Sequence, residues 1–419
     1  MRLQLASLVL ACLCGAAFAQ STYTVLYNFG AYSSDGLSPS GGLLTDAAGN
    51  FYGITIGGGA FCQSIYGCGT VYELSSSGGA WTDTVLYSFC STGNPDTCPD
   101  GSYPIAGLLA DKAGNFYGTT TGGGSSNQGV VFRLSPPQQS GGAWTQTVLW
   151  TFGSGKNNGT FPSYGKLNMD NAGNIYGTTS GGGNKNLGIV YELSPAGNST
   201  YTFSVLHSFS GPDGGGPEYG VAIDGSGNLY GTTEVGGPSN PACTFGAGGC
   251  GVVYELSQTG GKWKETVLYR FKGGSSGWAP VSPIYFDQAG NLYGTFSNGG
   301  QLGNCPPAYC GGVFKLVREA GGGKAYTFSF DGQNGGTPLG GVLPVSDSLS
   351  FGTSTAQRGN IFQILGKTET VLYTFCSQPG CTDGWSPGYG TVMRRGNGLY
   401  GVAMKGGVNN SGVLYSLTQ

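Results

Sequence analysis

The chain has 419 residues, 83 of them glycine, with 12% aromatic residues, 9% charged residues and a formal net charge of -3. So few charges exclude a basic surface for nucleic acid and a long-range field that would steer a charged partner. Disorder is excluded as well, because the glycines are interleaved with Tyr, Phe, Val and Thr, residues that favour packed strands.

The chain opens on an export signal. Arg2 supplies a positive start, "LASLVLACLCGAAF" an apolar stretch, and Ala17-Phe18-Ala19 a cleavage site. Residues 1–19 are therefore expected to be a signal peptide and residues 20–419 a single mature domain. A lipoprotein reading through Cys12 competes, but Leu10 is large where a lipobox has a small residue. No later stretch approaches the roughly 18 apolar residues of a membrane span. The expected location is secreted, extracellular or periplasmic, with association at the cell surface left open.

After the signal the first strand is "TVLYNF", residues 24–29. From there a unit repeats, marked by the glycine after an aromatic at Gly53, Gly118, Gly177, Gly231 and Gly294, with weaker copies at Gly352 and Gly401. One unit predicts four strands: A "AGLLAD", B "NFYGTT", C "GVVFRL" and D "TVLWTF". An Asp-x-x-Gly-Asn hairpin joins A to B, a glycine-rich segment joins B to C, and "SPPQQSGG" joins C to D. The strands are almost continuously apolar, which suits sheets stacked between other sheets. Seven such units predict an all-β, seven-bladed β-propeller of four-stranded antiparallel blades. The sixth unit is the most divergent: there "AYTFSF" stands for strand D and "SLSFGT" for strand B, the triple glycine is absent, and Gly352 and "GNIFQI" keep the spacing. The last unit holds A, B and C and then stops at Gln419, so "TVLYNF" at the N-terminus is expected to complete it and close the ring.

Ten cysteines remain after the signal, in the close pairs Cys62/Cys68, Cys90/Cys98, Cys243/Cys250, Cys305/Cys310 and Cys376/Cys381. The spacing is not that of a metal site, and His207 is the only histidine. Five local disulfides are expected, with no metal and no cofactor.

The unit "GLLxDxAGNFYGTTxGGG…GVVYELS…TVLYSF" resembles the GloVer tandem repeat of exported bacterial proteins over residues 24–418, and more loosely the blade of NHL-type propellers. That resemblance implies export and repeat architecture and brings no established activity. Many members end in a sorting or anchoring segment.

In a propeller the D-to-A and B-to-C loops share one rim, which assigns all five disulfides to that rim. The D-to-A loops also carry Asp/Asn-Gly-x-x-Pro, as in "DGSYP" and "DGWSP", with Tyr103, Phe161, Tyr164, Tyr219, Trp278, Trp385 and Tyr389 in or just after it. Such rings stack on sugar faces or grip peptides, and they also pack blades together. Trp81, Trp144 and Trp263 read as packing on the other rim. Asp46, Asp111, Asp170, Asp224 and Asp287 read as hairpin caps in preference to calcium ligands, which must converge on one point. Asp35, Asp100, Asp213 and Asp383 form either an anionic rim or ordinary Asp-Gly turns, and the turn is the better account. His207 reads as outer-strand packing, since one histidine builds neither a Ser-His nor a metal site.

The expected function is a non-catalytic binding or adhesion module, monomeric, with envelope polysaccharide or an envelope protein as its ligand and no nucleic acid. The rival is a carbohydrate-active hydrolase or lyase using channel-mouth carboxylates, Glu218 among them, or tyrosines; nothing in the spacing selects such a pair.

Overall fold

The computed structural model describes residues 21–419 apart from 33, 62–66, 93–96, 140, 154–157, 163, 198–199, 244–247, 301–309, 320–321 and 333–334. The expected signal segment, Cys62 and Cys305 lie outside the described residues. Seven antiparallel sheets form the blades of a β-propeller, and no α-helix occurs among the described residues. Blade 2 shows the plan, with A at Leu109–Ala110, B at Phe116–Thr120, C at Val130–Ser135 and D at Thr145–Thr151, hydrogen-bonded in that order. The sixth unit is a full blade of four strands, from Leu343–Pro344 to Thr368–Thr374, and "AYTFSF" falls instead at the outer strand of blade 5, Gly322–Ser329. The N-terminal strand Thr22–Asn28 pairs antiparallel with Val413–Thr418 and completes blade 7. There the Tyr23 hydroxyl donates to the Asp383 carbonyl at 2.6 Å and its ring stacks on Tyr373 at 3.8 Å.

The recurring glycine of strand B has a steric cause. The aromatic residue of strand C lies flat over it, so a Cβ on Gly118 would stand 2.6 Å from the Phe132 ring. The same approach recurs in every blade, from Gly53 under Tyr72 to Gly401 under Tyr415. Strand B is buried on both faces, as the continuous apolar runs predict.

The outer strands correct that expectation. Strand D is only half-buried, and its unbroken "VLY" run has another origin. Pairing with strand C skips one residue after Val25, Val85, Val148, Val205, Val267 and Val371, so the following leucine is the extra residue of a β-bulge. A one-residue bulge reverses the inward alternation, and the leucines therefore pack against the core clusters with the residues beside them. The D strand of blade 5, Gly322–Ser329, has no Val-Leu pair and no bulge. Most inner strands are shorter than "AGLLAD" suggested, as at Leu109–Ala110, Asn168–Met169 and Val221–Ile223, whereas that of blade 1 runs over Gly36–Thr45. Neighbouring blades approach each other here through glycines such as Gly41 against Gly107.

One contact repeats at all seven junctions. The carbonyl of the glycine before strand C, for example Gly129, accepts a hydrogen bond from the phenylalanine that ends strand D, Phe152, at 3.0 Å. The proline of the next D-to-A loop packs on the same glycine: a Cβ on Gly129 would lie 2.8 Å from Pro162, and one on Gly251 2.5 Å from Pro280. The residue before each proline donates its N–H to the residue before the glycine, as Tyr103 does to the Cys68 carbonyl at 2.9 Å. That geometry requires a left-handed backbone before the proline, at Ser38, Tyr103, Phe161, Gly216, Ala279, Thr337 and Ser386. The seventh junction, Gly412 with Pro39, joins the two ends of the chain.

Candidate functional site

The rim that carries the D-to-A and B-to-C loops is built on this junction, and the disulfides bracket it. Cys90–Cys98, Cys243–Cys250 and Cys376–Cys381 are bonded, and Cys68 and Cys310 are also disulfide-bonded, while Cys62 and Cys305, their expected partners, are not described. Cys68, Cys250 and Cys310 supply the carbonyls that accept the pre-proline N–H. The sulfurs of Cys68, Cys90 and Cys98 crowd within 4.8 Å of one another, but disulfide sulfur lacks the thiolate that ligates a metal.

Position relative to the junction proline sorts the seven candidate aromatics into three sets. Trp278 and Trp385 lie two residues before it. Trp278 is 5% exposed and packed into the core beneath blade 5. Trp385 is half-buried, with the Arg358 and Lys405 cations 5.0 and 4.7 Å from its ring.

Tyr103 and Phe161 lie immediately before the proline. They are 36% and 46% exposed, and they hold φ of 57° and 56°. In the other blades this position is Ser38, Gly216, Ala279, Thr337 or Ser386, so bulky rings stand here only in the adjacent blades 2 and 3. A left-handed backbone costs a bulky residue on the order of 1–2 kcal/mol, so Tyr103 and Phe161 are held against a local preference. An open trough of about 620 Å³ runs over Ser38 of blade 1 from Trp385 and Lys405 to Tyr103, and it includes Leu37, Ile56 and Asn410.

Tyr164, Tyr219 and Tyr389 lie two residues after the proline and face the central channel. They converge although blade 7 is opposite blades 3 and 4: Tyr164 lies 4.2 Å from Tyr389 and 5.6 Å from Tyr219, ring centre to ring centre. Room for them comes from Gly41, Ala106, Ser282 and Gly340 at the same position in the other blades. Farther in, Tyr285 reaches from blade 5 to donate to Thr391 of blade 7 at 2.7 Å.

Two carboxylates join this cluster, both from blade 4. Glu218 follows Pro217, and Glu234 ends strand B, where its N–H donates to the Gly216 carbonyl at 3.0 Å. Burial, with a further push from Glu234, raises Glu218 to about 7, and burial raises Glu234 as well. Lys166, just before the inner strand of blade 3, is lowered by burial alone, with no carboxylate acting on it. Sequence reasoning considered Glu218 but missed Glu234 and Lys166. The available signal was positional, because Glu234 is the one charge where the other copies have Ile56, Thr121, Ser180, Ser297, Thr355 and Met404.

The remaining acidic residues have local partners. Asp100 accepts from the Tyr87 hydroxyl at 2.7 Å and from the Ser91 N–H at 2.9 Å, and Asp383 does the same with Tyr373 and Ser377. They are buried turn anchors, as the Asp-Gly reading expects. His207 takes the tyrosine position in strand D of blade 3 and lies 3.0 Å from Asp213, with burial lowering its pKa despite that carboxylate. On the opposite rim Asp111 accepts from the Ala113 and Asn115 N–H groups, the Asn115 amide and the Tyr117 hydroxyl at 2.7 to 3.0 Å. That set closes the A-to-B hairpin, and Trp144 packs beside it on Phe116 at 5.3 Å.

No helix among the described residues is long and apolar enough to cross a membrane, and the disulfides indicate an oxidising, non-cytoplasmic environment.

The family model described as the Gloeobacter/Verrucomicrobia repeat matches residues 13–165 and 166–415. No curated protein matches the sequence. Among solved structures, the chain is similar to an ulvan lyase of polysaccharide lyase family PL25 at 12% identity, over 90% of this chain and 89% of that one, with a TM-score of 0.49. It is similar also to a member of carbohydrate-active enzyme family AA12 from Trichoderma reesei, at 10% identity over 95% and 96% of the two chains, TM-score 0.47. A putative oxidoreductase (glucose dehydrogenase) from Thermus thermophilus matches at 13% identity over 95% and 99%, TM-score 0.44. The chain belongs to the Gloeobacter/Verrucomicrobia repeat family.

Proposed function

We propose that this family member is a secreted, non-catalytic module that binds a polysaccharide across its disulfide-stapled rim. One observation carries the reading: Tyr103 and Phe161 stand exposed on adjacent blades, on strained backbone where the other blades carry small residues. Exposed, rigidly held rings on neighbouring blades are suited to stacking on successive sugars of a chain, because they offer apolar area at little entropic cost. The trough between Trp385 and Tyr103 extends the same surface towards blade 7. Trp278 has no part in this surface, because its ring is buried. A catalytic reading draws on Glu218, whose raised pKa suits a proton donor.

The test is a glycan and envelope-fraction binding screen of the mature protein beside Tyr103→Gly and Phe161→Gly. Glycine accepts the left-handed backbone, so both variants are expected to fold with unchanged or higher melting temperature and to bind about tenfold more weakly each. Unchanged glycan binding in the double variant overturns the reading, capture of a protein alone moves the ligand to that class, and turnover of a bound polysaccharide sinks the non-catalytic part.

A further inference from the structure

We propose that the channel mouth recognises a protonated amine, so that the preferred polysaccharide is one carrying free amino sugars. The inference rests on the polysaccharide reading and deepens it. Blades 2, 3 and 4 are consecutive, and going round the rim they present Tyr103, then Phe161, then Glu218 with Glu234. A sugar chain laid over the two rings would meet the carboxylates next.

The cluster is rich in acceptors and poor in donors. Among the described residues the Glu218 and Glu234 carboxylates accept no hydrogen bond, and neither takes part in an ion pair. Lys166 of blade 3 is lowered by burial, with neither carboxylate acting to raise it. Tyr219 gives the independent sign of a missing ligand. Its side chain is 4% exposed, its hydroxyl makes no hydrogen bond among the described residues, and its electrostatic neighbours are Glu218, Glu234, Tyr389 and Tyr164. The hydroxyls of Tyr72, Tyr191 and Tyr254 are sealed in the core, whereas that of Tyr219 is not, so a ligand atom in the channel can reach it.

Two carboxylates, a phenol oxygen and three adjoining aromatic rings are the surroundings an ammonium group takes, through charge-assisted hydrogen bonds and cation–π attraction. Calcium would require six to eight oxygens gathered at one point, and two carboxylates with one phenol offer fewer. Binding of a cation would draw the proton from Glu218, which burial and Glu234 otherwise hold to about 7. The titratable groups facing Glu218 are Glu234, Tyr164 and Tyr219, with Tyr389 beside them.

The experiment compares glucosamine oligomers with their N-acetylated counterparts by calorimetry, at a pH where the amine is protonated. The wild-type protein is expected to prefer the free amine by about tenfold. The Glu218→Gln/Glu234→Gln double variant is expected to lose that preference and keep its affinity for the acetylated oligomer. The preference should also weaken as pH falls through about 7, where Glu218 takes up its proton. The Tyr103→Gly/Phe161→Gly variant should weaken both oligomers alike and retain the ratio, which separates this site from the stacking surface. Equal binding of the two oligomers by the wild type, a preference that survives the glutamine variant, or calcium binding abolished by the same substitutions overturns the proposal. If neither oligomer binds, glucosamine itself is the probe. A Glu218-dependent rise in melting temperature then keeps the amine site and sinks the stacking surface, and no rise overturns the amine site.

Discussion

The two rims of the ring are made from the same repeat and have diverged to different degrees. On the A-to-B rim, Asp46, Asp111, Asp170, Asp224 and Asp287 cap nearly identical hairpins, and each is served by donors within its own turn. On the other rim the backbone is equally regular, with the same glycine, proline and left-handed residue at every junction, but the side chains mounted on it differ from blade to blade. A repeat that conserves its main-chain contacts can vary the side chains next to them without disturbing the ring. The rim with the invariant junction is therefore the one free to become specific.

The comparison is broken most severely by filling a junction. In Gly251→Ala a Cβ meets the Thr233 carbonyl and Pro280 at a φ of 87°, and the loss is expected to be about 3 kcal/mol or more, read from thermal or chemical unfolding. Gly141→Ala, in the C-to-D turn of the opposite rim, has a similar φ and no atom near the new Cβ, so about 1 kcal/mol is expected there. Equal losses would show that the junction does not hold the blades together.

The rims should also respond to pH in opposite directions. Next to the junction loops, burial and then Asp35 raise Asp83 to about 8, burial and then Asp213 raise Glu265 to about 7, and burial and then Asp331 raise Glu369 to about 8. Between the ordinary carboxylate range near 4 and these values, the folded protein holds protons that the unfolded chain releases, so stability falls as pH rises across that window. Burial would raise the hairpin aspartates too, but their hydrogen bonds outweigh it and hold them below the usual range. Their contribution is present above about pH 4 and is lost as pH falls through the folded value. The melting temperature is thus expected to be higher at pH 5 than at pH 8, with a smaller difference in Asp83→Asn/Glu265→Gln/Glu369→Gln; an unchanged pH dependence in that variant would remove the carboxyl pairs as its cause.

The smallest effect concerns the core that both rims share. The hydroxyls of Tyr72, Tyr191 and Tyr254 are buried without a partner, while Phe132, Phe314 and Phe362 fill the same position in blades 2, 5 and 6. Each Tyr→Phe change should leave the melting temperature unchanged or raise it by the equivalent of about 1 kcal/mol. A loss of that size at any of the three would mean that the hydroxyl has a role the ring packing does not explain.

The sequence alone determined the architecture, because each of its marks has a local physical cause. The strand-B glycine is required under a strand-C aromatic, the Asp-x-x-Gly-Asn turn closes its own hairpin, and an unmatched D strand at the N-terminus has one place to pair. The bulge at the strand-D leucine was not legible, since an apolar run looks the same whether it is buried on both faces or shifted in register. The candidate site was legible as a set of aromatics and no further. Tyr164 and Tyr389 are 225 positions apart, and only closure of the ring sets blade 7 opposite blades 3 and 4, so that their rings meet with Glu218 and Glu234 beside them. Local periodicity fixes what each blade is, whereas which side chains share the channel depends on how many blades complete the circle.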